Sequence, residues 1–250
     1  MEELYKKYRP ALFKQVLGQD NVVKILEGKI KSSALPHAIL FSGPSGVGKT
    51  TLARILKTKL GCGDEDFVEI NCADFRGIDM VRDIRRQMNL SPMFGKCRIW
   101  LIDEAHRWTG EPMDGALKML EDTPPHVYFM LATTNPSKLL PTILNRCTHF
   151  NLTPLPEKDL KNLLEDIRLK ENAIHISPEA LSKIIEVSEG SARKALVLFD
   201  QIIRVKDSKN QVETIQSSDM KKQAIEIARA LIDRKKKWPE VAAILREVEE

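Results

Sequence analysis

The feature of this sequence that most constrains its fold is the segment Gly43-Pro44-Ser45-Gly46-Val47-Gly48-Lys49-Thr50, which fits the pattern GxxxxGK[ST] in full. An apolar run precedes it and a helical pattern, Thr50 to Lys57, follows it. In this order of strand, loop and helix, backbone N–H groups and a helix N-terminus surround phosphate oxygens. The sequence therefore predicts a nucleotide site in which Lys49 neutralises phosphates and Thr50 binds Mg²⁺. The alternative is a glycine turn that merely resembles such a site.

Short apolar runs that alternate with helical patterns predict a parallel sheet flanked by helices. The predicted strands are Ala38–Ser42, Phe67–Asn71, Arg98–Asp103 and Tyr128–Thr133. From about Asn151 onward the pattern is helical, with segments at 159–168, after the N-cap Ser177, and at 192–205.

Three domains are predicted from these patterns. They are an α/β nucleotide-binding domain at 1–152, a three-helix lid at 153–205, and a linker with the start of a helical collar at 206–250. We assign 206–218 to the linker because it is polar and poor in large apolar residues.

Two carboxylates follow the strand Arg98–Asp103 at its carboxyl end. Asp103 is expected beside Mg²⁺, and Glu104 is expected to orient and polarise the attacking water as catalytic base. The alternative is that the two acids only reflect the preference for acidic residues at the N-terminus of a helix. Thr134 and Asn135 end the next strand, either beside the bound nucleotide or in an ordinary turn before Pro136.

Composition limits the remaining classes of protein. The 250 residues are 42% hydrophobic and 30% charged, as in a soluble chain with a buried core. No apolar run approaches the roughly 20 residues of a membrane span, and the N-terminus lacks a signal peptide, so a cytoplasmic protein is predicted. A net charge of +4 does not by itself indicate nucleic-acid binding. The four cysteines are widely spaced and are predicted to be reduced, mostly buried thiols.

Together with the opening box Tyr8 to Gln19, these residues resemble the AAA+ subunits of DNA sliding-clamp loaders, of the bacterial DNA polymerase III gamma and replication factor C small-subunit type. The resemblance implies an ATPase that uses ATP and Mg²⁺ to load a ring clamp onto primer-template DNA during replication. It also implies partner subunits, in a homo-oligomer or a hetero-oligomer. In this family the opening box borders the adenine pocket, so Val16 and Gly18 are expected at the base, and Thr51 is expected with the loop at the phosphates.

The resemblance assigns three further roles at the nucleotide. Thr134 is expected to act as sensor 1, and Arg193 as sensor 2 from the lid. Arg146 is expected to reach a neighbouring subunit's ATP in trans, although Asn145 stands where the family usually has serine. Without the resemblance, both arginines would be read as solvated or structural.

The resemblance also gives expectations for macromolecular contacts. A predicted helix with Arg76, Arg82, Arg85 and Arg86 is expected to contact DNA phosphates, or else to be a solvated face in which Asp83 pairs with arginine. The clamp contact is expected around Trp108 to Met113, where Trp108 has core packing as its alternative.

This sequence departs from the family in three places. A short connection with one cysteine, Cys62, replaces the four-cysteine zinc module of bacterial gamma subunits, so no zinc is expected. The glutamine often found in the helix after the acidic pair is absent, with Met113 near its place. The collar is short of full length. Two rival functions are a branch-migration motor, for which 223–250 is too short to supply a winged helix, and a non-catalytic nucleotide-binding scaffold.

Overall fold

A computed structural model describes residues 3–73, 78–108, 110–205 and 207–218. Its centre is a five-stranded parallel sheet in the order β2-β3-β4-β1-β5. The strands are β1 (Ala38–Ser42), β2 (Phe67–Asn71), β3 (Arg98–Asp103), β4 (Val127–Thr133) and β5 (Thr148–Asn151). The predicted α/β class and four strands are confirmed, with β4 beginning one residue earlier than predicted. β5 was not predicted, because Phe150 is its only buried residue.

Nine helices accompany the sheet in the described residues, apart from the helical segment 208–218 that is described below. They are α1 (Leu4–Lys7), α2 (Asp20–Lys31), α3 (Lys49–Leu60), α4 (Ile78–Gln87), α5 (Glu111–Glu121), α6 (Pro141–Arg146), α7 (Glu157–Lys170), α8 (Pro178–Ser188) and α9 (Ala192–Ile202). The helix α3 that follows the glycine-rich loop ends at Gly61, whose φ of 69° closes it in the left-handed conformation. None of these helices is long and apolar enough to cross a membrane.

The sheet is covered on both faces. Successive residues of β1 point to opposite sides, so Leu40 packs in one cluster with Trp100 while Ile39 packs in another with Leu52 of α3. All five residues of β1 are buried. A parallel strand buried on both faces is apolar throughout instead of alternating, which explains why these strands were recognisable in the sequence.

The four cysteines, Cys62, Cys72, Cys97 and Cys147, are free and buried, as predicted. Burial raises the pKa of the Cys147 thiol to about 12. Burial, together with the nearby Asp103 and Glu104 carboxylates, also raises the pKa of Cys72 to about 12. No group of three or more potential metal ligands occurs among the residues with described positions.

Contacts divide the chain into two units. Residues 6–156 form one unit together with 190–193, and the other contains, among the described residues, 3–5, 157–189 and those from 194 to 218. In the second unit α7 and α8 contribute Leu164 and Ile184, both fully buried. The side chain of Ser177 accepts a hydrogen bond from the Ala180 N–H (3.2 Å), which is the N-cap predicted for α8. The predicted boundaries at 152 and 205 stay predictions.

The prediction of a linker at 206–218 is wrong over most of its length, because residues 208–218 are helical. Gln211 and Ile215, one turn apart, are fully buried. The Gln211 amide donates to the Val205 carbonyl (2.7 Å) and accepts from the Ser177 N–H (3.1 Å). Two inward positions are enough to hold this polar helix to its unit. The predicted collar beyond residue 218 lies outside the described residues.

Candidate nucleotide site

The glycine-rich loop connects the end of β1 to the start of α3, as its motif requires. Gly46 and Gly48 have φ of 80° and 110°, which side chains with a Cβ rarely adopt. A Cβ on Gly46 would lie 2.2 Å from Ser191 Oγ and 2.9 Å from Arg193 Cβ, whereas one on Gly48 would meet nothing within 4 Å. The loop therefore packs closely against 190–193 at one glycine and is open at the other.

The remaining loop positions differ in exposure. Pro44 and Ser45 are exposed, Gly43 and Val47 are buried, and Thr51, in the first turn of α3, is half-buried. The N-terminus of α3 thus follows directly on the open part of the loop, where its N–H groups favour an anion.

Lys49 lies under the loop with only 7% of its surface exposed. Its Nζ donates to the carbonyls of Gly43 and Pro44, each at 2.7 Å. Burial lowers the pKa of Lys49, while the carboxylates of Asp103 and Glu104 act in the opposite direction. The Lys49 side chain is thus oriented by neutral carbonyls that an anionic oxygen can replace.

The acidic pair at the end of β3 reaches the same place. Thr50 Oγ1 lies 3.5 Å from Asp103 Oδ2, the limit of a weak hydrogen bond. The other oxygen, Asp103 Oδ1, accepts the Glu104 N–H (3.0 Å). A hydroxyl and a carboxylate are oxygen ligands of the kind that Mg²⁺ prefers, and here they approach each other from the start of α3 and the end of β3.

Glu104 has a φ of 54°, a left-handed conformation that is uncommon and costly for a residue with a side chain. Its Oε2 accepts a hydrogen bond from Thr134 Oγ1 (3.4 Å) and lies 3.3 Å from His106 Nδ1. The same nitrogen is 2.9 Å from Thr133 Oγ1. The structure thus brings the predicted Glu104 and Thr134 together and adds two residues that sequence reasoning missed, His106 and Thr133. The only sign of this contact in the sequence was His106 itself, two positions after Glu104.

The opening box is attached to the chain that follows β5. Gln19 is 4% exposed, and its amide donates to the Thr153 carbonyl (2.7 Å) and accepts from the Thr153 N–H (3.3 Å). Gly18 has a φ of 68°, and a Cβ there would lie 3.2 Å from Pro156 Cδ. Val16 packs partly buried against the cluster that contains Leu52 of α3. Val16 is therefore on the side of the sheet that carries the loop helix.

The two arginines assigned by resemblance differ in surroundings. Arg193 is exposed, with its Cβ beside Gly46 of the loop. Arg146 ends α6, donates to the Thr142 carbonyl (2.9 Å) and forms an ion pair with Glu121 of α5. The guanidinium of Arg146 is thus bound to a carboxylate of its own chain while one third of the side chain remains exposed.

The arginines of α4 lie on its exposed face, opposite Val81 and Ile84 in the core. Arg82 pairs with Asp79 (3.1 Å) and Arg86 pairs with Asp83 (3.5 Å). Arg85 is also exposed, and Arg76 lies outside the described residues. The face is basic, and the intrahelical pairing that was the alternative expectation is present in it.

Trp108 and Met113 are 1% and 3% exposed. The prediction that either presents an apolar surface to a ring clamp is therefore wrong, and core packing is the correct interpretation for both. Trp108 follows the short turn after β3 and Met113 lies in α5, and the sequence did not reveal which side of either segment faces the core.

The most exposed large apolar residues of this unit lie instead in the loop after α4. Leu90, Met93 and Phe94 are 58%, 69% and 72% exposed. The backbone N–H groups of Met93 and Phe94 donate to the buried carboxylate of Asp66 (2.9 Å), which also pairs with Arg98 (3.0 Å). The adjacent apolar residues Met93 and Phe94 are visible in the sequence, but the hydrogen bonds by which Asp66 holds their backbone are not.

Three comparisons with known proteins agree with this arrangement. A family model described as "DNA polymerase III, delta subunit" matches residues 18–79 and 66–156. The DNA polymerase III subunit gamma/tau of Mycoplasma genitalium is 36% identical over 96% of this chain and 42% of its own length. The Escherichia coli subunit tau is 35% identical, over 85% of this chain and 36% of its own. The chain therefore spans about two fifths of the length of these relatives.

A shorter relative is covered more fully. The DNA polymerase III subunit gamma of Buchnera aphidicola is 32% identical over 94% of this chain and 71% of its own length. Among solved structures, the Thermotoga maritima RuvB Holliday junction branch migration motor has a TM-score of 0.66 at 23% identity, over 84% of this chain and 72% of that one. This second likeness is one of fold.

Proposed function

Because the chain belongs to the family of DNA polymerase III gamma-type clamp-loader AAA+ subunits, we propose that it binds and hydrolyses ATP to load a ring clamp onto primer-template DNA. The observation that carries the ATPase part is the approach of Thr50 to Asp103 (3.5 Å) beside the buried Lys49. A phosphate loop without enzymatic activity has no need of the second carboxylate, Glu104, at the same strand end.

Each residue has a distinct task in this proposal. Lys49 exchanges its two loop carbonyls for phosphate oxygens, and the N–H groups at the start of α3 bind the same anion. Thr50 and Asp103 bind Mg²⁺, which when bound neutralises charge on the phosphates. Glu104 orients a water and polarises it, with Thr134 hydrogen-bonded to the same carboxylate. Arg193, beside Gly46, adds positive charge from the start of α9.

Arg146 is proposed to act on a neighbouring subunit's nucleotide. Its guanidinium lies at the end of α6 and is partly exposed, so it is accessible to another chain after it leaves Glu121. A cation supplied in trans stabilises the charge of the transition state only in the assembly. The active form is therefore an oligomer, made either of copies of this chain or of this chain with other subunits.

The proposed contact with the clamp is the exposed loop pair Met93 and Phe94. Two adjacent large apolar side chains at about 70% exposure form a small projecting surface of the kind that fills an apolar pocket on a partner. Since Asp66 fixes the backbone of both residues, little ordering is needed on binding. Met93 and Phe94 replace Trp108 and Met113 as the predicted contact.

Primer-template DNA is proposed to contact the basic face of α4. Arg82, Arg85 and Arg86 are all exposed and suit phosphate contacts, which position a protein on DNA without reading its sequence. Binding there exchanges the weak exposed pairs with Asp79 and Asp83 for phosphate contacts. This interaction should weaken steeply with salt.

ATP turnover, measured with the complete set of partner subunits, tests the proposal. Wild type and Glu104→Gln are compared with and without clamp and primed DNA, and nucleotide affinity is measured for both. We expect stimulation by the two ligands together and a loss of about 100-fold or more in Glu104→Gln at unchanged affinity. Nucleotide binding with no turnover in any condition would instead identify a scaffold. Turnover driven by branched DNA without a clamp would identify a branch-migration motor.

A matched pair of variants tests the clamp contact. Phe94→Ser should abolish stimulation by the clamp, whereas Ile25→Ser, at a 49% exposed position on α2, should leave it unchanged. Equal effects of the two substitutions would exclude the loop after α4 as the contact.

A further inference from the structure

His106 lies in the short turn directly after Glu104, and none of the roles above uses it. Only 9% of its side chain is exposed. One ring nitrogen, Nδ1, is within reach of both Thr133 Oγ1 (2.9 Å) and Glu104 Oε2 (3.3 Å). The imidazole therefore connects the proposed catalytic base to the end of β4.

The contacts select one tautomer of the ring. An ionised Glu104 carboxylate only accepts hydrogen bonds, so a bare Nδ1 facing it at 3.3 Å would place two lone pairs against each other. Thr133 Oγ1 already accepts the Asn135 N–H (3.1 Å) and retains a second lone pair. A proton on Nδ1 satisfies both oxygens, which leaves Nε2 without a proton when the ring is neutral.

We propose that His106 is a positioning residue for the ATPase reaction: its Nδ1–H holds the Glu104 carboxylate in place against Thr133. Glu104 needs such support because it occupies a left-handed backbone conformation and its other contact, with Thr134, is long at 3.4 Å. A carboxylate with one oxygen held by two donors aims at one water, whereas a free carboxylate samples several rotamers. This inference rests on the proposed ATPase activity.

The burial of the ring favours its neutral form. Burial lowers the pKa of His106, and Arg107, Lys138 and Lys49 lower it further, while Glu104 raises it. Near neutral pH the ring therefore donates through Nδ1 without adding a charge to the base. Protonation in acid keeps the Nδ1 donor but makes Glu104 a weaker base, so turnover falls at low pH.

Nuclear magnetic resonance of the complete chain with ¹⁵N-labelled histidine tests the contact independently of turnover. The ring signals of His106, assigned by their loss in His106→Asn, should show the Nδ1–H tautomer. Glu104→Gln should lower the pKa of His106, because it removes the neighbouring negative charge. An Nε2–H tautomer, or a His106 pKa that is unchanged in Glu104→Gln, would overturn the proposal.

Kinetics of the assembled complex test the consequence. His106→Ala should lower the turnover number by about 10-fold to 100-fold at unchanged nucleotide affinity. His106→Asn carries an amide N–H at the position of Nδ1 and should retain most activity, whereas His106→Gln places its amide further out and should not. Full activity of His106→Ala in an active complex would refute a positioning role. If wild type does not turn over at all, the ATPase proposal fails, while the resonance measurement still decides whether the contact exists.

Discussion

Replacement of the buried Asp66 tests how the loop after α4 is held. Asp66 has no exposed side-chain surface, and its carboxylate binds the N–H groups of Met93 and Phe94 and the guanidinium of Arg98. Asp66→Asn removes the charge at nearly constant volume and turns an amide N–H toward some of these donors. Breaking a buried ion pair from one side costs about 3–5 kcal/mol.

For Asp66→Asn we expect a loss of stability at the lower end of this range. Arg98 keeps hydrogen bonds to the carbonyls of Gln87 (2.9 Å) and Ser91 (3.4 Å), so its charge is not left without partners. We therefore expect Asp66→Asn to lose about 3 kcal/mol of unfolding free energy. At an m-value of about 3 kcal/mol per molar urea, the midpoint moves down by about 1 M.

Urea titrations followed by tryptophan fluorescence measure this change, because Trp100 and Trp108 are buried in the same unit. Asp79→Asn is the matched control, since it removes an exposed pair with Arg82 and should leave the midpoint almost unchanged. If Asp66→Asn shifts the midpoint no more than Asp79→Asn, the buried pair does not stabilise the unit.

The difference in unfolding free energy between wild type and Asp66→Asn should also depend on pH. Burial raises the pKa of Asp66, but the N–H groups of Phe94 and Met93 and the Arg98 guanidinium together bring it below its usual value. A folded-state pKa below that of the unfolded chain gives stability that is present above about pH 4 and is lost in more acidic solution. The gap between wild type and Asp66→Asn should therefore narrow below about pH 4, and a gap that widens there would contradict this account.

Three further outcomes are expected. Gly46→Ala should abolish nucleotide binding, as measured by calorimetry, because the backbone there has a positive φ and the added Cβ would collide with Ser191. Gly28→Ala, where a Cβ meets nothing within 4 Å, should bind nucleotide normally, and equal binding by the two variants would be contrary evidence. Gln211→Ala should lower the melting temperature by several degrees by leaving buried backbone groups unpaired, and an unchanged melting temperature would argue against those contacts. The thiols of Cys72 and Cys147 should react with a disulfide reagent at pH 8 only after unfolding, since burial raises both pKa values to about 12; rapid labelling of the native chain would contradict this.

The parts of the fold that were predictable are those with a fixed spacing or a fixed period. The strands β1 and β3 contain consecutive apolar residues, Ala38 to Phe41 and Ile99 to Ile102, because both sheet faces are covered, and the loop 43–50 has a defined pattern. β5 escaped notice because three of its four residues are not buried, and 208–218 because only Gln211 and Ile215 face inward. In both segments tertiary contacts decide a structure that local sequence leaves open.

In the candidate site, too, some residues could be placed from the sequence and others could not. Thr50, Asp103 and Glu104 could be paired from sequence because strand ends of a parallel sheet converge. The contact of His106 with Thr133 joins residues 27 positions apart and has no sequence pattern. Burial of Trp108 likewise depends on which side of the turn meets the core.

The hydrogen bonds that fix the loop after α4 use the backbone of Met93 and Phe94, not their side chains. Asp66 immediately precedes β2 and Arg98 begins β3, so both anchors belong to the sheet. Side-chain identity at 93 and 94 is consequently free to vary without loss of the loop's shape. For the proposed clamp contact this means that a change of these two residues alone would alter which partner the loop fits.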